Sequence, residues 1–147
     1  MLAPSPRYID DYRVGFSRTD IDELLESLEL KHLGWSHAVP PVIMRTPDRP
    51  ELHDELVETL CRDDPAQACL RLRRFPSYNR ANLVRITLST LVVECAEDAI
   101  APREVGAYVH EHIPASELIT LDATGHCPQA SAPDATASTI SSFARWT

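Results

Sequence analysis

The hydrophobic period of this chain changes once, near Asn82, and the change divides it into a helical front and an alternating α/β rear. Ahead of it, Ile21, Leu24, Leu25 and Leu28 recur at i, i+3, i+4 and i+7, the stripe of one helix face. Behind it, Leu83-Val84-Arg85-Ile86, Leu91-Val92-Val93 and Leu118-Ile119-Thr120-Leu121 are short runs rich in branched residues, as strands of a buried parallel sheet require. Strand, helix, strand, helix implies a parallel crossover, so the fold class is α/β, with a short parallel sheet covered by helices and preceded by a helical unit.

Prolines and caps set the expected boundaries. Residues 1–18 hold Pro4, Pro6, Gly15 and Asp10-Asp11 and read as an irregular lead-in. Thr19 with Asp22 predicts a capping box for the first helix, and a second starts near His32 and carries Trp35 and Ala38 until Pro40-Pro41 kinks or ends it. Leu52, Leu56, Val57 and Leu60 mark a third helix, and Asp64-Pro65 opens a fourth as N-cap and first residue, ending near Pro76. Four helices over residues 19–80 therefore precede an α/β part over 81–147, where Pro102 opens a helix with Val105, Tyr108 and Val109 on one side and Pro133 opens a terminal helix through Ile140 and Phe143.

Bulk properties exclude several functions. A net charge of −8 over 147 residues lacks the basic face that nucleic acid demands, and Arg71-Leu72-Arg73-Arg74 reads as the exposed side of a helix. No apolar run is long enough to cross a bilayer, and Met1 to Arg7 lacks a signal-peptide pattern, so a cytoplasmic protein is expected. Cys61, Cys69, Cys95 and Cys127 form no C-x-x-C pair and read as reduced, mostly buried thiols. No cofactor is expected.

The chemistry is concentrated beyond two strand ends. In open α/β sheets reactive groups gather past the carboxyl ends of strands, where Asp98 follows Leu91 to Val93 and His126 follows Leu118 to Leu121. If the strands are neighbours, Asp98 can hold the imidazole through Nδ1, fixing its tautomer and stabilising the imidazolium formed when histidine takes a proton from a nucleophile. Acid before histidine is the closing order of an α/β-hydrolase triad. An acid after a strand is otherwise an ordinary turn former. His110-Glu111-His112 suggests a metal, but i and i+2 face apart on a helix, so no metal site is assigned. Cys127 reads as a packed thiol rather than a nucleophile. Trp35, Phe75 and Tyr78 are candidates to touch a ligand, with plain core as the equal alternative.

A set of motifs sharpens this. Ala96-Glu97-Asp98-Ala99-Ile100-Ala101-Pro102, Val105-Gly106-Ala107-Tyr108, Ile113-Pro114, Gly125-His126-Cys127-Pro128 and Ser131-Ala132-Pro133 closely resemble the end of the RsbQ-like α/β-hydrolases. That family includes a bacterial stress-response regulator and the plant strigolactone and karrikin receptors. Pro4-Ser5-Pro6-Arg7-Tyr8, Gly34-Trp35, Pro41-Val42-Ile43-Met44, Pro47-Asp48-Arg49-Pro50-Glu51-Leu52, Cys61, Asp64-Pro65 and Asn79-Arg80 resemble its lid and the loop leading into it. By this resemblance Asp98 is the triad acid, His126 the triad base, and the four helices a lid over a small hydrophobic pocket. The chain departs from the family pattern at Gln129, where a second histidine is usual, at Ser89, where a proline is usual, and at Pro40, which doubles a single proline.

The resemblance also implies a nucleophile serine in a G-x-S-x-G elbow, and Gly15, Gly34, Gly106 and Gly125 do not supply that spacing; Gly15-Phe16-Ser17-Arg18-Thr19 fails at its last position. The chain is thus expected to be the C-terminal half of a hydrolase, with Met1 at the tail of the strand before the lid and one edge of the Asp98-bearing strand left unpaired. Two functions follow as expectations. One is a serine hydrolase of small apolar esters or lactones, inactive until a serine-bearing N-terminal half complements it. The other is a non-catalytic ligand-binding module that engages a signalling protein through its lid, as in regulation of a stress sigma-factor pathway. Self-association of the isolated chain is expected in either case.

Overall fold

Helix starts in this protein follow from which residue adopts the extended cap conformation. In the computed structural model, which describes residues 1–5, 17–73 and 80–145, helix α1 (Arg18–Leu30) is capped by Ser17, with φ −73° and ψ 166°. Ser17 Oγ accepts from Asp20 N at 3.1 Å and Ser17 N donates to Asp20 Oδ2 at 2.7 Å. The capping box therefore lies two residues ahead of Thr19 and Asp22, and Asp22 instead pairs with Arg18 on the exposed face at 3.4 Å.

Helix α2 (His32–Ala38) ends as expected before the prolines, and Pro40 then begins a separate helix, α3 (Pro40–Met44), at a position where a missing amide removes no bond. Helices α4 (Pro50–Arg62) and α5 (Pro65–Leu72) follow the proline signals, with Asp64 Oδ1 accepting from Ala66 N at 2.8 Å. A short α6 (Arg80–Leu83) precedes the sheet. The front thus contains six helices among the described residues rather than four. Its core is Leu28, Trp35 and Ala68, with Leu24, Leu25, Val39, Leu60 and Cys69 packed around it.

Leu83 to Ile86 is not strand. Leu83 closes α6, and the amides of Arg85 and Ile86 bond back to the carbonyls of Asn82 and Leu83 at 3.2 and 3.0 Å. Strand β1 (Thr90–Glu97) pairs in parallel with β2 (Ser116–Thr124), and α7 (Arg103–His112) makes the crossover. The register runs from Thr90 opposite Ser116 to Cys95 opposite Leu121, then slips so that Glu97 faces Thr124. This irregularity sits just before both functional turns, a place where bulges commonly re-aim side chains.

The other edge of β1 is not bare. Val93 N donates to Met1 O at 2.9 Å and Ala3 N donates to Val93 O at 2.8 Å, so the first residues add a parallel bridge at Leu2. The lead-in is therefore partly strand-like, and the expected unpaired edge is covered at its middle.

Alternation along β1 separates two cores. Leu91, Val93 and Cys95 join Leu121 and Ala123 beneath Phe143 of the terminal helix α9 (Pro133–Ala144). Val92 packs with Leu83, Val109 and Ile113 on the opposite side, against α7. Each fully buried side chain such as Val92 or Ile113 contributes roughly 1.5–3 kcal/mol. Glu94 takes the next place on the α7 side; its Oε1 accepts from Thr120 Oγ1 at 2.8 Å and Arg103 Nε at 3.4 Å. A short α8 (Pro128–Ser131) lies between β2 and α9.

Candidate active site

The turn after β1 fixes one oxygen of Asp98 by local bonds. Asp98 Oδ1 accepts the amides of Ile100 at 2.8 Å and Ala101 at 3.0 Å, the self-closing geometry that aspartate offers to a turn. The other oxygen, Oδ2, lies 2.8 Å from His126 Nδ1. The carboxylate side chain is fully buried while that of His126 is 22% exposed. A carboxylate oxygen only accepts, so Nδ1 carries the hydrogen and the neutral ring keeps its lone pair on Nε2. Nε2 makes no hydrogen bond among the described residues. The pair can therefore accept a proton at Nε2 and stabilise the resulting imidazolium through Asp98.

His126 is placed by three elements. Gly125 N donates to Glu97 O at 2.8 Å, tying the turn to the end of β1. His126 N donates to Ile43 O at 2.8 Å, at the carboxyl end of α3. Downstream, Thr136 Oγ1 of α9 donates to Pro128 O at 2.9 Å, and Arg49 Nη2 donates to Ser131 O at 2.6 Å. Gly125 has φ +88°, and a Cβ there would lie 2.1 Å from Met44 O, so both its backbone angle and its neighbour require glycine. Position beyond the strand ends singles out Asp98 and His126 in the sequence, but nothing there singles out Ile43, Arg49 or the Ile100 and Ala101 amides. A glycine directly before a candidate histidine was the available signal for close backbone approach.

The remaining candidates lie elsewhere. Trp35 is buried with Leu28 and Ala68 inside the helical front. Phe75 and Tyr78 fall outside the described residues. His110 and His112 diverge: His110 Nδ1 lies 2.9 Å from Ser116 Oγ, whereas His112 Nδ1 donates to Tyr108 O at 2.8 Å and its ring stacks on Tyr108. No group of three potential metal ligands occurs among the described residues. Cys127 is half-buried; burial first and the Asp98 charge second push its thiol up, which disfavours the thiolate a nucleophile needs. Beside it a groove of about 430 Å³ runs between α4 and this loop, lined by Met44, Leu52, Leu56, Thr59, Cys127 and Gln129.

An acid beyond one parallel strand, bonded to a histidine beyond the next, is the closing arrangement of an α/β-hydrolase. The chain belongs to the alpha/beta hydrolase family, whose model matches residues 2–139. It is 29% identical over 140 residues to the karrikin insensitive 2 receptor IA of Petunia hybrida and 30% identical over 137 residues to a strigolactone esterase of Arabidopsis thaliana. These alignments cover 92% and 90% of this chain, and the chain spans about half, 51%, of each relative's length. A hydrolase from Oleispira antarctica superposes with a TM-score of 0.87 at 33% identity, over 97% of this chain and 54% of that one. An enol-lactonase from Burkholderia xenovorans shares the fold, with a TM-score of 0.84 at 15% identity over 98% of this chain and 54% of that one. The family match and the two plant relatives bear out an α/β-hydrolase of the RsbQ-like, strigolactone- and karrikin-receptor type, as read from the motifs.

Proposed function

We propose that this chain is the C-terminal part of a serine hydrolase acting on small apolar esters or lactones, in which Asp98 orients His126 and His126 activates a serine carried by an N-terminal half. The observation that carries this reading is the 2.8 Å bond from His126 Nδ1 to a fully buried carboxylate whose other oxygen is already held by two amides. Such a carboxylate cannot turn away, so the imidazole presents Nε2 to a substrate-side nucleophile in one orientation. The helical front would serve as the lid, with the half-buried leucines of α4 toward the ligand. A cytoplasmic setting fits the reduced thiols, and the reaction calls for no metal or cofactor.

The test is complementation. The chain is mixed or co-expressed with a serine-bearing N-terminal half taken from a relative, and hydrolysis of a chromogenic acetate ester is followed. Turnover is expected in the mixture and absent from either part. Asp98→Asn should lower the rate by roughly 10⁴-fold and His126→Ala by at least as much. Turnover that survives His126→Ala at an unchanged rate sinks the assignment.

A second reading has its own support: one relative is named a karrikin receptor. In that reading the complemented protein binds a small apolar lactone and signals through the lid without needing turnover. Ligand-induced thermal stabilisation that persists in His126→Ala, with no ester cleavage in the unaltered complex, is its expected signature.

A further inference from the structure

The loop that carries His126 is held at both ends by one short stretch of the helical front. At its start, His126 N–H bonds to Ile43 O at 2.8 Å. The last carbonyls of a helix have no partner within it, and the Ile43 carbonyl of α3 finds its partner in His126. Arg45, in the left-handed conformation at φ 49°, ends α3, and the residue four beyond Ile43 is Pro47, which has no amide to offer the Ile43 carbonyl. At the loop's end, Arg49 Nη2 donates to Ser131 O at 2.6 Å across 82 positions of sequence. Arg49 itself is half-buried and precedes α4, with its own amide bonded to Thr46 O at 3.0 Å.

We infer that Arg49 is a positioning residue: with the carboxyl end of α3 it clamps the loop from His126 to Ser131 onto the helical front and so keeps the imidazole in register with Asp98. The role of His126 as general base rests on the proposed function, but the clamp is a mechanical statement that can be tested without turnover. A charged, forked donor suits the task, because a guanidinium bonded to a carbonyl forms a stronger bond than a neutral donor and holds a fixed direction. Displacing α3 and α4 as a unit would withdraw both ends of the loop together, so the position of the base depends on where the front sits.

Hydrogen exchange and proton NMR on the full chain test this, comparing the unaltered protein with Arg49→Met and Arg49→Lys. Arg49→Met is expected to speed exchange of the His126 amide by roughly 10-fold or more, in line with loss of one charge-assisted bond, while the amides of Val92 and Leu121 keep their protection. The His126 Nδ1–H signal, which reports the bond to Asp98, should weaken in the same variant. Arg49→Lys keeps a charged donor but not the fork and should restore part of both. An unchanged His126 amide in Arg49→Met overturns the proposal. So does a rise shared equally by Val92 and Leu121, which would make Arg49 a general stability residue, or a failure of Arg49→Lys to restore any protection. Exchange can change with hydrolysis absent, or stay fixed with hydrolysis present, so this outcome and that of the complementation assay are separable.

Discussion

Cys95 shows how strongly burial beside the candidate pair penalises a thiolate. It lies on β1 at 0% exposure, and burial, followed by the nearby Asp98 charge, pushes its thiol up to about 11. A thiol whose folded value exceeds its unfolded one, near 9, binds its proton more tightly when folded. Its contribution to stability is therefore intact below about pH 9 and is lost as pH rises through about 11. The two-unit gap corresponds to on the order of 3 kcal/mol at the upper end. Urea unfolding midpoints measured from pH 8 to 11 should fall more steeply for the unaltered chain than for Cys95→Ala; parallel curves would contradict the assignment. At the same scale, three donors surround the buried Asp98 carboxylate, the Ile100 and Ala101 amides and His126 Nδ1, so both of its oxygens are hydrogen-bonded.

Between elements, α7 approaches β1 closely through Gly106. A Cβ at Gly106 would stand 2.0 Å from Glu94 Oε2, so alanine there must either push the helix off the strand or pull Glu94 from Thr120 and Arg103. Overpacking of this kind costs about 1–3 kcal/mol. Gly106→Ala should lower the urea midpoint accordingly, and adding Glu94→Ala should recover part of the loss, a coupling that a double-mutant cycle reads directly; simple additivity would refute the collision. Elements with strong local punctuation were legible in the sequence: α2, α4, α5, α7 and α9 lie where prolines and helical stripes place them. Those set by distant partners were not. The bridge at Leu2 depends on Val93, and the branched run at Leu83 to Ile86 has the composition of a strand although its amides turn back to Asn82 and Leu83. The short helices α3, α6 and α8, five, four and four residues long, show too little of a turn repeat for spacing to reveal them. In the site, Asp98 and His126 follow from strand ends, whereas the clamp from Ile43 and Arg49 uses main-chain carbonyls, which carry no residue signature.

For the molecule as a whole, the helical front leaves substantial apolar surface uncovered. Leu30 is 73% exposed, Leu33 64% and Leu70 53%, and α4 buries none of its side chains fully. Leu88 beside the sheet is 76% exposed. Surfaces of this kind favour association, opposed only by a net charge of −8 whose repulsion salt screens. Sedimentation velocity should show oligomers that grow as salt is raised; a single monomeric species with a sharp cooperative melt would contradict this. The two members of the candidate pair also differ in what each needs from the rest of the chain. Asp98 is held by amides two and three positions onward, so the turn from Glu97 to Ala101 is a portable unit that could be grafted onto another strand with its carboxylate already aimed. His126 draws on β1, α3 and the acid 28 positions earlier, and no short segment transplants it. Anyone rebuilding this pair in a new scaffold can borrow the acid as a peptide but must recreate the histidine's surroundings from several elements at once.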